Sequence, residues 1–309
     1  MPTRLKQGES GTHGARRIAR QRIKSALRTL DRRNKTDRSV HLARKELKRA
    51  RATLRLLRDA LGRSTYKKEN AALREVASPL SAVRDGRVLL DALRSLIDYY
   101  GAPAAALPLG KFQRSLIRRR SQLRSSILEK RAPLREARKS LRAAQTRAAH
   151  WHVGRHGWSV LGAGLKRTYG RARRALQKVL RQASDEHLHE WRKQTKYFWY
   201  QLQIFTPLAP GPIGELESAA RKLADFLGDD HDLAVLHARV LQSRALFPSA
   251  ASQRALESLI ERCRAGLQAK ALLLGQQLYA EPPAELVARL GECWHEWRGR
   301  RGHRSVAPD

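Results

Sequence analysis

The chain has 309 residues, 41% of them hydrophobic, with 63 Lys and Arg against 28 Asp and Glu, a net charge of +35. Cys263 and Cys293 are the whole cysteine content, which excludes a disulfide framework and fits a reducing cytoplasm. No run approaches the roughly 18 apolar residues of a membrane-spanning helix, and the N-terminal MPTRLKQGESGTHGARR lacks the apolar core of a signal peptide.

Residues 1–154 hold 39 basic and 12 acidic residues (+27), and residues 155–309 hold 24 and 16 (+8). Charge this one-sided opposes compaction unless something neutralises it. The expected partner is a polyanion: nucleic acid, an anionic membrane surface or inorganic polyphosphate.

In chain order, residues 1–11 are expected to be disordered, with Gly8–Gly14 a flexible lead-in. Asp37 is placed to cap a helix over about 38–61. Helical spacing then predicts helices near 66–84, 86–100, 110–130 and 133–150, with Gly101–Gly110 a loop. WHVGRHGWSVLGAG at 151–164 carries four glycines and reads as a helix-poor midpoint. Further helices are expected near 164–182, 186–206, 213–228, 231–245, 250–280 and 283–298, followed by a disordered tail at 299–309. No strand alternation appears, so the fold class is all-α, with short loops favouring antiparallel bundles.

The chain repeats itself. His41-x-x-Arg44-Lys45-x-x-Lys48 matches His189-x-x-Arg192-Lys193-x-x-Lys196 at an offset of 148. LSAVRDGRVL at 80–89 matches LGDDHDLAVL at 227–236 at an offset of 147. Two motifs in the same order at nearly one offset imply two related helical bundles about a pseudo-two-fold axis, an N-terminal half at 12–150 and a C-terminal half at 158–298.

On a helix, Arg44, Lys45, Lys48, Arg51 and Arg55 lie within about 100° of His41. Ala43, Leu47, Ala50, Leu54, Leu57 and Leu61 lie opposite, and bury. The cationic stripe from His41 to Arg55 runs about 21 Å at roughly 1.5 Å per residue. The second motif repeats the pattern, with Tyr200 on the face of His189 and with Trp191, Thr195, Phe198, Leu202 and Phe205 on the buried side. A basic helix face is ordinarily just solvated. Like charges one turn apart cost a few tenths of a kcal/mol per pair, so the same one-signed face in both halves points to an anion between them.

These residues resemble the CHAD family, the conserved-histidine α-helical domain, over about residues 12–298. The resemblance rests on the two H-x-x-R-K-x-x-K helices, on Arg84-Asp85-x-x-Val88-Leu89 and on Leu227-Gly228-x-x-His231-Asp232-x-x-Val235-Leu236. Tyr169 with Arg171, Arg173 and Arg174 is similar to the family's basic helix at the start of its second half. The resemblance implies a basic central cavity, binding of long-chain inorganic polyphosphate, and association with polyphosphate granules in bacterial cytoplasm. It implies as ligands His41, Arg44, Lys45, Lys48, Arg51, Arg55, His189, Arg192, Lys193 and Lys196. The candidate set also takes in Tyr200, Arg171, Arg173 and Arg174, and Arg16 and Arg20 near the N-terminus. Asp85 and Asp232 are expected to be structural. Where the family continues with basic residues, this second helix has Tyr197 and Trp199. Glu215-Leu-Glu217-Ser-Ala219 lacks the lysine of the E-x-E-x-K signature, so no fused triphosphate tunnel domain is expected.

Other chemistry has weaker signals. His187-x-His189 would point its rings about 160° apart on a helix. Asp229-Asp230-His231-Asp232 sits at an expected helix start, where it would serve the cap and dipole. No metal site or cofactor is therefore expected. There is no G-x-S-x-G, P-loop or G-x-G-x-x-G pattern, so the chain is expected to bind rather than catalyse. The main alternative is a basic helical protein that binds nucleic acid, to which Arg118-Arg119-Arg120 would contribute. A polyphosphate hydrolase is the weaker alternative, because it would need acidic metal ligands inside the basic site.

Overall fold

A computed structural model describes residues 3–31, 37–78, 80–125, 132–153 and 157–299, with backbone only at 81–85. Every element among them is helical. The helices are α1 (Gly11–Asp31), α2 (Asp37–Leu56), α3 (Arg58–Leu61), α4 (Arg63–Ala77), α5 (Ser81–Tyr100), α6 (Ala102–Ala105) and α7 (Gly110–Arg124). They continue with α8 (Ala132–Ala149), α9 (Trp158–Arg181), α10 (Asp185–Phe205), α11 (Pro210–Leu241), α12 (Ala250–Leu278) and α13 (Pro283–Gly299). None is long and apolar enough to cross a membrane.

The apolar stripe of α2 buries as its spacing requires: Val40, Ala43, Leu47, Ala50 and Leu54 are all in the core. A second face, Ala52, Thr53 and Leu56, is buried too, because α9 and α10 both pack on α2. α10 carries the expected buried row of Trp191, Thr195, Phe198, Leu202 and Phe205. It also buries Tyr197, Trp199, Tyr200 and Gln201, so it is enclosed on nearly every side. A helix apolar around its whole circumference is a central helix, which accounts for aromatic residues where the first motif continues with arginine.

Two cores form, and each draws on both halves of the sequence. The larger joins α1, α2, α4 and α8 with α9, α10 and α13. The smaller joins Leu89, Leu93, Phe112 and Leu116 of α5 and α7 with Leu236 and Ile260 of α11 and α12. The repeated helices meet in pairs: α2 packs on α10, and α5 packs on α11.

Three expected boundaries move. α1 begins within the supposed lead-in, and Gly11, Thr12 and Gly14 are buried. Leu5, in the stretch expected to be disordered, is buried, and its N–H donates to Ile204 O at 3.2 Å. α9 starts at Trp158, so Gly162 and Gly164 are helical. A Cβ on Gly164 would lie 2.6 Å from Leu56 Cα: the glycine lets α9 and α2 touch backbone to backbone.

The third change concerns the acidic cluster. Residues 210–241 form one helix of 32 residues, without a break at 229. Asp230 is therefore neither a cap nor a dipole partner. It is buried, accepting from Arg264 Nε at 3.0 Å and Gln268 Nε2 at 2.8 Å. Arg264 also pairs with Asp185 in the first turn of α10. Tertiary partners on α12 satisfy the carboxylate that looked, in sequence, like a helix start.

Candidate polyanion site

The cationic face of α2 divides into two ends of different chemistry. At the C-terminal end, Arg51 Nε and Arg55 Nη1 both donate to Asn70 Oδ1 of α4, at 3.0 and 3.1 Å. The Arg55 guanidinium lies 3.8 Å from the ring centroid of Tyr197, and that of Arg51 lies 6.0 Å away. Arg171 of α9 sits in the field of Arg55, Arg58 and Arg174. Burial, reinforced by Arg55, lowers the pKa of Arg171. Burial also lowers that of Arg51, with Arg55 and Arg74 acting in the same direction. None of Arg51, Arg55, Arg58, Arg171 and Arg174 has a carboxylate within 4 Å among the described residues. These are cations beside other cations, with Arg51, Arg55 and Arg58 half-buried, an arrangement that an anion relieves.

At the N-terminal end, lysines mix with acids. Lys45 has its pKa lowered by burial and then by Arg49, and it feels Arg221 and Asp225 of α11. Glu46 accepts from Arg22 at 3.0 Å and from Arg49 at 2.8 Å. Lys48 approaches His189 closely enough to help depress its pKa, although burial, Arg192 and Lys193 contribute more. Lys193 is ion-paired with Glu190 on the exposed side of α10. The His189 ring packs against His231 of α11, tilted by 49° with the ring centroids 4.7 Å apart. Arg192 and Lys196 converge on Gly228: a Cβ there would be 3.8 Å from both Arg192 Nε and Lys196 Nζ. The two repeated motifs of the second half thus meet across α10 and α11, with Gly228 beneath both cations.

The remaining candidates separate. Arg44 and Arg192 are buried, and Tyr200 is buried with the Arg49 guanidinium 5.6 Å from its ring. Arg173 turns away from Arg171 and donates to Ala280 O at 3.4 Å. Arg16 donates to Trp151 O at 2.9 Å, tying α1 to the segment between the halves. Arg20 is exposed on α1. Arg16 and Arg173 each spend one donor on a backbone carbonyl and keep the others.

His41 opens onto a cavity of about 800 Å³ between α2, α5, α11 and α12. That cavity is not of one sign. Arg38, Arg87, Arg262 and Lys270 line it, but so do Asp37, Asp91, Asp229 and Asp232. The cavity at the histidine end is thus of mixed sign, where the family resemblance implied a basic one. Asp232 lines this mixed cavity, while the Asp85 side chain lies outside the described residues. Asp229 has its pKa raised by burial and by Asp232 and Asp225. His187 belongs to the α10 cap, with its N–H on Ser184 Oγ at 3.2 Å and its Nδ1 2.7 Å from Gln182 O. No group of three or more His, Cys, Asp or Glu suited to a metal occurs among the described residues.

Sequence reasoning missed Asn70, Tyr66, Arg58, Arg49 and Arg22. Arg58 had a signal, since it continues the stripe three residues beyond Arg55. Asn70 and Tyr66 had none, because α4 reaches α2 only through the tertiary fold.

A family model described as the CHAD domain matches residues 17–241. Among solved structures, "PptA from Streptomyces chartreusis" superposes with a TM-score of 0.62 at 16% identity, covering 88% of this chain and 100% of that one. The crystal structure of the CHAD domain from the plant Ricinus communis superposes with a TM-score of 0.51 at 15% identity, covering 91% of this chain and 95% of that one. Comparison with curated protein sequences gives no match.

Proposed function

This chain belongs to the CHAD domain family, and we propose that it binds long-chain inorganic polyphosphate along the face of α2 where α4, α9 and α10 converge. The observation that carries this reading is the arginine end of the site. Arg51 and Arg55 of the first half and Arg171 of the second meet there with no carboxylate within 4 Å among the described residues. Polyphosphate is a flexible string of phosphoryl groups, each of which an arginine fork grips with two donors. The pairing of α2 with α10 and of α5 with α11 supports a duplicated site about a pseudo-two-fold axis.

The chain acts as a binder and not as an enzyme in this reading. Its support is that carboxylates along the stripe are committed to cations: Glu46 to Arg22 and Arg49, and Glu190 to Lys193. Association with polyphosphate granules in the cytoplasm follows from the same reading. The test is a comparison of affinities for long-chain polyphosphate and for duplex DNA at matched salt, about 200 mM, where phosphate contacts to DNA are weakened by screening. Polyphosphate is expected to bind more tightly. Tighter binding of DNA overturns the proposal in favour of nucleic acid.

A further inference from the structure

Two arginines that share one acceptor would ordinarily share a carboxylate, and a carboxylate would cancel much of their charge. Here the shared acceptor is a neutral amide. Arginine only donates, so the oxygen of the Asn70 amide faces both guanidinium groups, at 3.0 Å from Arg51 Nε and 3.1 Å from Arg55 Nη1. One residue earlier on α4, Glu69 is a carboxylate, but it turns to α8 and takes Arg147 at 2.7 and 3.1 Å. α4 therefore presents its acid to a structural ion pair and its amide to the cationic cluster.

The amide does not consume the donors. Arg51 uses only Nε on Asn70, and its two Nη groups donate to no acceptor among the described residues. Arg55 spends Nη1 on Asn70 and, at 3.4 Å, on Arg51 O, while its Nε is buried with no acceptor. Tyr197 closes the opposite side, with its ring 3.8 Å from the Arg55 guanidinium. The result is two guanidinium groups fixed side by side, charged, with donors in reserve.

We propose that Asn70 is a positioning residue for polyanion binding: it holds Arg51 and Arg55 as a preformed phosphoryl-gripping pair without neutralising either, and Tyr197 serves as the backstop. This inference rests on the reading of the site as a polyphosphate site. Long arginine side chains lose considerable rotamer freedom when a ligand orders them. A pair ordered in advance has already met that cost.

The experiment measures polyphosphate affinity across about 50–300 mM salt for the wild-type chain, Asn70→Ala and Asn70→Asp. For Asn70→Ala we expect about tenfold weaker binding, from two guanidinium groups left to be ordered by the ligand, with the salt dependence unchanged because no cation is lost. For Asn70→Asp we expect weaker binding with a shallower dependence, the slope of log affinity against log salt falling by about 1. In an Arg51→Lys/Arg55→Lys background, which has no fork to orient, Asn70→Ala should cost nothing further. A purely structural role for Asn70 predicts instead that its loss costs the same in both backgrounds. Equal affinity of wild type and Asn70→Ala, or an undiminished effect in the lysine background, overturns the proposal. Failure of the wild-type chain to bind polyphosphate overturns the functional reading itself, a distinct outcome.

Discussion

The division of the α2 face into an arginine end and a lysine end predicts unequal contributions to binding. Consider two double variants that each remove two positive charges, Arg51→Gln/Arg55→Gln and Lys45→Gln/Lys193→Gln. Each arginine is half-buried and has no carboxylate within 4 Å among the described residues. Each is therefore able to form charge-assisted forks to phosphoryl oxygens, worth about 1.5–3 kcal/mol apiece. Losing both is expected to cost about 3–6 kcal/mol, a loss of at least a hundredfold in affinity. Lys193 is already paired with Glu190 on an exposed surface, and Lys45 lies in the field of Asp225. Lys193 thus exchanges one ion pair for another, at about 0–1 kcal/mol, and Lys45 offers a single point charge where an arginine offers a two-donor fork, so their removal is expected to cost at most about tenfold to thirtyfold. Isothermal titration with long-chain polyphosphate at about 150 mM salt measures both variants, and thermal melting confirms that both are folded. Equal losses in the two variants, or a greater loss from the lysine pair, refute the argument that the arginine end grips the anion.

Three further outcomes follow from the geometry. Asp230→Ala removes a buried carboxylate, leaves Arg264 with Asp185 as its remaining ion pair and takes the acceptor from Gln268; it is expected to cost about 1–3 kcal/mol of stability, read as a lowered urea midpoint. Gly164→Ala drives a Cβ to within 2.6 Å of the Leu56 backbone; neither helix backbone can yield cheaply, so the loss should reach or exceed the upper end of the usual 1–3 kcal/mol for overpacking, again by urea titration. His189 has its pKa depressed by burial, Arg192 and Lys193. In the free protein this disfavours the charged form, so stability falls as pH drops below about 6.5. A bound polyanion offsets the cations and raises the His189 pKa, so binding takes up protons and affinity rises as pH falls from about 7.5 to 5.5. His189→Gln should flatten that pH dependence, and calorimetry in two buffers of different ionisation enthalpy should show proton uptake by wild type alone.

The sequence by itself determined the helical class, the duplication and the division of α2 into a buried and a cationic face. These follow from period: 3.6 residues per turn sorts Ala43, Leu47, Ala50 and Leu54 from Lys45, Lys48, Arg51 and Arg55 whatever surrounds the helix. Gly164 looked like a helix breaker because its reason for being glycine, the backbone of α2 at Leu56, is 108 positions distant in the chain. Asp230 looked like a cap because its partners, Arg264 and Gln268, lie on another helix. That Arg16 and Arg173 also tie α1 and α9 to the carbonyls of Trp151 and Ala280 was not legible, because those carbonyls lie more than 100 positions away. The site residues on α2 and α10 were legible as a pattern. Which of their charges stay uncompensated, and which neutral residue of α4 holds two of them in place, depended on distances between helices. Those distances arise only when the two halves pack into shared cores, since a charge is free or paired according to its neighbours in space and not in sequence.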